Sequence, residues 1–171
     1  MSEWSEAMSN LMERRKSGIK SSSNNKLSDY KSHLSKINIG HYVLDVGCGD
    51  MYVKNFIKGK YTGIDPFPVN DYVIKMMVEE LNFNDKAFDT VICFATLDGV
   101  KNKEKAIQEM KRVCKGNIYL LTGIGIEPDK YHTFRIDEKD LINSMKPFKV
   151  GYKEYLTKNV ALIEFNRDVS V

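Results

Sequence analysis

No stretch of the 171 residues reaches the roughly eighteen consecutive apolar positions that a membrane-crossing helix needs, which argues against that class. The amino terminus, Met1-Ser2-Glu3-Trp4-Ser5-Glu6, is polar and acidic and lacks the apolar centre of a secretion signal. Only three cysteines occur, Cys48, Cys93 and Cys114, and their spacings form no pair. That argues against a disulfide framework; free thiols packed as small hydrophobes in a reducing, cytoplasmic setting are expected. Histidine is equally scarce. His33, His41 and His132 are scattered, with no carboxylate or cysteine cluster at ligand spacing, so no metal is expected. A dominant charge is lacking too: 26 Lys and Arg against 23 Asp and Glu leave +3, well short of a chain built to neutralise phosphates. Nucleic acid is therefore permitted as a partner but not indicated. The Gly-Lys-Ser/Thr of a phosphate-binding loop is missing, and no internal repeat occurs.

What is present is a single-domain length with an ordinary globular balance, 42% hydrophobic and 29% charged. Trp4, Met8, Leu11 and Met12 recur at helical spacing, which predicts a short amphipathic helix within residues 1–16. A Ser/Asn-rich run from Ser17 to Lys26 reads as a loop or hinge, and a second helix is expected over Leu27–Lys36. From Tyr42 onward the pattern alternates. Strands are predicted at Tyr42–Val46, Tyr61–Ile64, Tyr72–Met77, Phe88–Phe94 and Asn117–Thr122, with helices at Asp50–Ile57 and Lys103–Cys114. Asp137–Met145 reads as a helix with Asp137 as its N-cap and Asp140 three residues on. Beyond Pro147, Phe148–Leu156 and Val160–Phe165 flank the polar joint Thr157-Lys158-Asn159 and predict an antiparallel pair. Repeated βα units closed by a hairpin define an α/β fold, an open and mostly parallel sheet with helices on both faces.

The most informative stretch is Tyr42-Val43-Leu44-Asp45-Val46-Gly47-Cys48-Gly49-Asp50. It is a buried strand running into a glycine turn, followed one crossover later by a strand that ends at Asp65-Pro66. Glycines permit close approach of ligand atoms to the backbone, and a carboxylate at the second strand's end can accept hydrogen bonds from both hydroxyls of a ribose. The pairing suits a nucleoside-bearing cofactor. Asp65 could instead be a surface turn acid, and Asp45 a turn-stabilising one.

These features resemble the class I S-adenosylmethionine-dependent methyltransferases, especially the small methyltransferase-11 type, over roughly residues 40 to 165. Val43–Gly49 resembles that family's first motif and Gly63-Ile64-Asp65 its acidic second-strand end. Glu79–Asp89 resembles the loop into its fourth strand, and Glu109–Gly116 the helix and turn before its fifth. The resemblance implies a Rossmann-like three-layer sandwich with a mostly parallel seven-strand sheet and a C-terminal antiparallel hairpin. It places the methyltransferase domain at residues 40–171, and the position and composition of residues 1–39 mark them as a helical lid with a Ser/Asn-rich hinge. S-adenosylmethionine is the implied cofactor, with Asp45, Gly47, Cys48, Gly49, Asp65, Pro66, Glu79, Phe94, Ala95 and Leu97 as its binding residues. Glu79 and Glu80 are adjacent, and only one of them is expected to face the pocket. Two departures stand out: Met51 replaces a third small residue after Gly-x-Gly, and Met77 falls where an acid commonly meets the adenine amino group.

Methyl transfer from a sulfonium asks little acid–base work of the protein; alignment of the acceptor carries much of the rate. If the acceptor must lose a proton, Asp98, beyond the fourth strand, and His132, after the fifth, stand where a base belongs. Each could equally be an ordinary loop residue, and Thr96 a simple cap. The expected reaction is transfer to an O or N atom of a small-molecule acceptor. An RNA or DNA methyltransferase is the alternative, drawing on the basic Arg14, Arg15, Lys16, Lys20 and Lys26. Against it, no Asp/Asn-Pro-Pro-Tyr/Phe sequence follows the fourth strand and no Pro-Cys dipeptide occurs. A nicotinamide oxidoreductase is disfavoured because the last glycine of Gly-x-Gly-x-x-Gly is missing. A non-catalytic S-adenosylmethionine-binding protein is the remaining reading.

Overall fold

A computed structural model describes residues 3–16, 34, 35, 37–130 and 132–168. The expected hinge at residues 17–26 lies outside them, and of the helix expected over Leu27–Lys36 only Leu34 and Ser35 are described. In chain order the elements are α1 (Glu3–Lys16), β1 (Tyr42–Val46), β2 (Lys60–Asp65), β3 (Ile74–Lys75), β4 (Phe88–Phe94), α2 (Lys103–Val113), β5 (Cys114–Gly123), α3 (Glu138–Ser144), β6 (Phe148–Thr157) and β7 (Val160–Arg167). Short 3-10 turns occupy Tyr52–Phe56 and Leu97–Gly99.

The seven strands form one sheet in the order β3-β2-β1-β4-β5-β7-β6. The first five run parallel, and β7 inserts antiparallel between β5 and β6. This is the Rossmann-like arrangement anticipated from the sequence. Side chains alternate across it as the strand period requires. Leu44, Val46, Val91, Cys93, Ile118, Leu120, Ile163 and Phe165 pack beneath α2 and α3. Val43, Ile92, Phe94, Tyr119, Leu121 and Leu162 form a second core on the other face with Leu34 and Val53.

Helix α2 follows its sequence pattern closely. Asn102 caps it by accepting from Lys105 N at 2.9 Å, and Ala106, Ile107, Met110 and Val113 are buried on one face. Arg112, in its last turn, donates to Glu109, Asp85 and the carbonyls of Phe83 and Leu81, which ties the loop before β4 onto the helix.

Several elements differ from expectation. The helix expected at Asp50–Ile57 is only the 3-10 turn Tyr52–Phe56. Met51 is left-handed (φ 60°), and Lys54 N to Met51 O and Ile57 N to Lys54 O close three-residue steps. Residues 47–59 alone must carry the parallel crossover from β1 to β2, near the minimum such a connection needs. A full helix would leave no chain for the return. β3 shrinks from the expected Tyr72–Met77 to Ile74–Lys75, both exposed on the sheet edge, because Asn70 folds the preceding residues into a turn. β5 starts at Cys114, directly from α2, not at Asn117. Asp137 occupies the N-cap position of α3 without a capping bond from its side chain; its carboxylate faces Arg135 instead.

Candidate functional site

The carboxyl ends of β1, β2, β4 and β5 converge on the glycine turn, where open α/β sheets form their crevice. Gly47 (φ +67°) and Gly49 (φ +53°) take left-handed backbone, and a Cβ on Gly47 would lie 2.3 Å from Thr96 Oγ1. Only glycine fits at position 47. Cys48 N donates to Ile64 O at 3.0 Å, which pins the turn to β2. At the end of β2, Asp65 is buried and accepts from Gly49 N at 3.1 Å and from Phe67 N at 2.8 Å, one donor to each oxygen. The carboxylate and the bare turn are thus held as one unit, with half-buried Pro66 leading the chain away.

Beneath the turn sits Asp45, 2% exposed, accepting from Tyr61 Oη at 2.6 Å. Burial raises its carboxyl to about 7, opposed by the Tyr61 hydrogen bond and reinforced by the charges of Asp65 and Asp50. Burial, with the charges of Asp45 and Asp65, pushes the Cys48 thiol up to about 12, and burial with the charge of Asp45 raises Tyr61. Cys48 is therefore a neutral wall, not a nucleophile. Tyr61 was not anticipated. The signal for it was a buried acid on β1 with no partner in its own segment, since β2 pairs beside β1 and presents Tyr61 two residues before Gly63.

Following β4, Phe94 is buried, Ala95 is exposed with φ +50°, and Leu97 is fully buried in the core. Ala95 N donates to Leu121 O at 2.7 Å, leaving a bare backbone kink at the crevice edge. Glu79 is buried, and its Oε1 accepts from Lys101 N at 2.6 Å and Asn102 N at 3.0 Å. Its Oε2 is buried without a partner among the described residues. The adjacent Glu80 is exposed and pairs with Lys105. An orphaned buried carboxylate oxygen is an acceptor awaiting a donor, and the exocyclic amino group of an adenine is such a donor. With Asp65 and the glycine turn, the residues present fit an adenosyl cofactor.

Asp98 and His132 come together across the edge. Asp98 lies in the 3-10 turn after β4, and its Oδ2 stands 3.7 Å from His132 Nε2. His132 Nδ1 lies 2.7 Å from Asp129 Oδ1, which also accepts from His132 N at 2.9 Å. Thr133 N donates to Asp98 O at 2.8 Å. Burial raises the Asp98 carboxyl above its ordinary range, and the charge of His132 opposes it. The hydroxyls of Thr122 and Thr133 are buried with no partner among the described residues. Helix α1 lies against the 97–99 turn, and Asn10 Nδ2 donates to Lys130 O at 3.2 Å. Asp129 was missed; its legible trace was the i, i+3 spacing to His132. Among the described residues no group of side chains could hold a metal ion, and no helix is long and apolar enough to cross a membrane.

Residues 44–122 match the model of the methyltransferase domain family. Similar solved structures include the complex of the Haloferax volcanii Trm112 methyltransferase activator with a "putative methyltransferase": 15% identity, TM-score 0.66, 80% of this chain and 87% of that one. The magnesium protoporphyrin IX methyltransferase of Synechocystis, with S-adenosylmethionine bound, gives 16%, 0.59, 76% and 71%. A possible histamine N-methyltransferase of Thermotoga maritima gives 18%, 0.63, 83% and 89%. No curated protein matches the chain. The chain is thus similar to the methyltransferase domain family over residues 44–122, and its sheet order and crevice are those of the Rossmann-like fold.

Proposed function

We propose that the protein transfers a methyl group to an O or N atom of a small-molecule acceptor. The observation that carries this reading is the acceptor side of the edge, where Asp98, His132 and Asp129 stand together beside two unpartnered threonine hydroxyls. Carboxylates there repel a phosphate backbone, whereas a small polar acceptor could use the hydroxyls and lose a proton to the Asp98–His132 pair. Two structural neighbours carry names that state small acceptors, magnesium protoporphyrin IX and histamine, which supports the same reading.

In this reading Asp65 takes the ribose hydroxyls, Gly47, Cys48 and Gly49 present bare backbone, and Glu79 Oε2 takes the adenine amino group. Pro66, Phe94 and Ala95 wall the crevice, with Leu97 supporting them from below and Asp45 lying under the methionine end. Bound S-adenosylmethionine supplies a methyl already activated on sulfur. The protein's share is to orient the acceptor, exclude water and receive a proton at His132 Nε2 or Asp98 Oδ2. Three buried free thiols accord with a cytoplasmic setting.

The reaction is tested by incubating the protein with methyl-labelled cofactor and a cell extract divided into small molecules and nucleic acid. Label is expected in the small-molecule fraction; label in RNA or DNA would refute the acceptor assignment. His132→Gln should lower turnover by about a hundredfold or more with cofactor affinity unchanged, the usual share of a positioned base. A wild-type rate across pH 6–9 would remove His132 from the reaction.

Residues 1–39 are proposed to close over this edge as a lid, supported by α1 resting on the 97–99 turn. S-adenosylhomocysteine should then slow limited proteolysis between Ser21 and Asn25. Equal cutting with and without it would argue that the segment does not respond to the cofactor.

A further inference from the structure

At the opposite edge of the sheet, where β4 and β6 begin and α2 and β7 end, lies a cleft of about 310 Å3. Four cations line it. Arg112 is neutralised by Glu109 and Asp85, each at 2.8 Å. Lys86, Lys111 and Arg167 pair with no carboxylate among the described residues, and Asp168, next in sequence to Arg167, engages Lys149.

Two of these cations are already fixed in place. Arg167 Nη2 donates to Lys111 O at 2.7 Å and Cys114 O at 2.6 Å, and its guanidinium lies 4.6 Å from the Phe148 ring centroid. Lys111 Nζ donates to Ser144 O and Lys146 O, both at 2.7 Å. An anion would meet them without the usual cost of ordering long side chains. Arg167 Nε is, moreover, a buried donor with no partner among the described residues. A native chain seldom leaves such a group unsatisfied. Burial and the proximity of Arg167 also lower the Lys111 pKa, a destabilised charge that an anion would relieve.

We propose that this cleft binds a phosphate monoester of a small molecule, with the phosphate against Arg167 and Lys111 and with Lys86 and Gln108 at the rim. Three uncompensated cations suit a dianion better than a single carboxylate. The volume exceeds what a phosphate fills and leaves room for the esterified group. The site is separate from the methyl-transfer edge and does not depend on the acceptor assigned there.

The test is calorimetric titration of the full chain at constant ionic strength, with inorganic phosphate, glycerol phosphate and chloride as probes. Both phosphates are expected to bind saturably, with Kd roughly millimolar or tighter, and chloride is not. Gln108 is exposed on α2, so Gln108→Glu places a carboxylate in the cleft without removing a structural contact. That variant, and Lys86→Gln beside it, should weaken phosphate binding, Gln108→Glu by tenfold or more. Phosphate binding no tighter than chloride, or unchanged in both variants, would overturn the site. Binding of inorganic phosphate with exclusion of glycerol phosphate would overturn the ester. An oligoribonucleotide that binds more tightly than glycerol phosphate, with steep salt dependence, would replace the small ligand with nucleic acid.

Discussion

Asp65→Ala is expected to weaken S-adenosylhomocysteine by roughly a hundredfold or more. Each charge-assisted hydrogen bond to a ribose hydroxyl contributes about 1.5–3 kcal/mol, so losing two costs about 3 kcal/mol or more. The substitution also removes the acceptors for Gly49 N and Phe67 N, so the turn itself would lose its tie to β2. Asp65→Asn separates the two effects. It keeps one oxygen for a backbone donor and a similar volume, and it replaces the second acceptor by a donor that cannot serve a hydroxyl in the same way. If ribose recognition dominates, Asn weakens binding nearly as much as Ala while recovering part of the melting temperature that Ala loses. If anchoring of the turn dominates, Asn, which keeps one of the two backbone acceptors, restores part of the affinity. Isothermal calorimetry with both variants decides it, and unchanged affinity in both would remove Asp65 from the cofactor site.

The central strands were readable because burial on both faces writes itself as continuous apolar sequence. Val43–Val46 and Phe88–Phe94 needed no tertiary information, and α2 declared its buried face through Ala106, Ile107, Met110 and Val113. The glycine turn was equally plain, since few reasons other than close approach put Gly47 and Gly49 after a buried acid. What failed to show depended on distant partners. The segment Asp50–Ile57 has helical composition, but the short crossover between β1 and β2 and the left-handed Met51 limit it to a 3-10 turn. Asp137 had the sequence of a cap until Arg135 drew its side chain away. The fate of Glu79 turned on Lys101 and Asn102, more than twenty residues downstream, whose amides occupy one of its oxygens. Tyr61 could not be tied to Asp45 before the register of β1 against β2 was in hand.

The second large effect concerns Asp45, whose buried carboxyl titrates at about 7 instead of its ordinary 3.8 because burial disfavours the charge. The folded chain therefore holds this proton more tightly than the unfolded chain does. Its contribution to stability is complete below pH 4, falls as pH rises between about 4 and 7, and is gone above that. A rise from 3.8 to about 7 corresponds to about 4 kcal/mol as an upper bound. Asp45→Asn has no charge to bury and keeps an oxygen for Tyr61 Oη. It should therefore match the wild type at pH 4 and exceed it by up to about 4 kcal/mol at pH 8. Urea unfolding of both proteins at the two pH values measures this, and other titrating groups, Asp98 included, cancel in the comparison. An equal difference at both pH values would show that Asp45 stays ionised in the folded chain. If the cofactor lies as proposed, the same variant should bind S-adenosylmethionine less tightly, because an ionised Asp45 beneath the turn would favour the cationic methionine end. Cofactor binding by the wild type should accordingly release a proton near pH 7, seen as a dependence of the calorimetric heat on the ionisation enthalpy of the buffer. A stable Asp45→Asn chain with full cofactor affinity would break that link. The acid would then serve only to hold β1 against β2 through Tyr61.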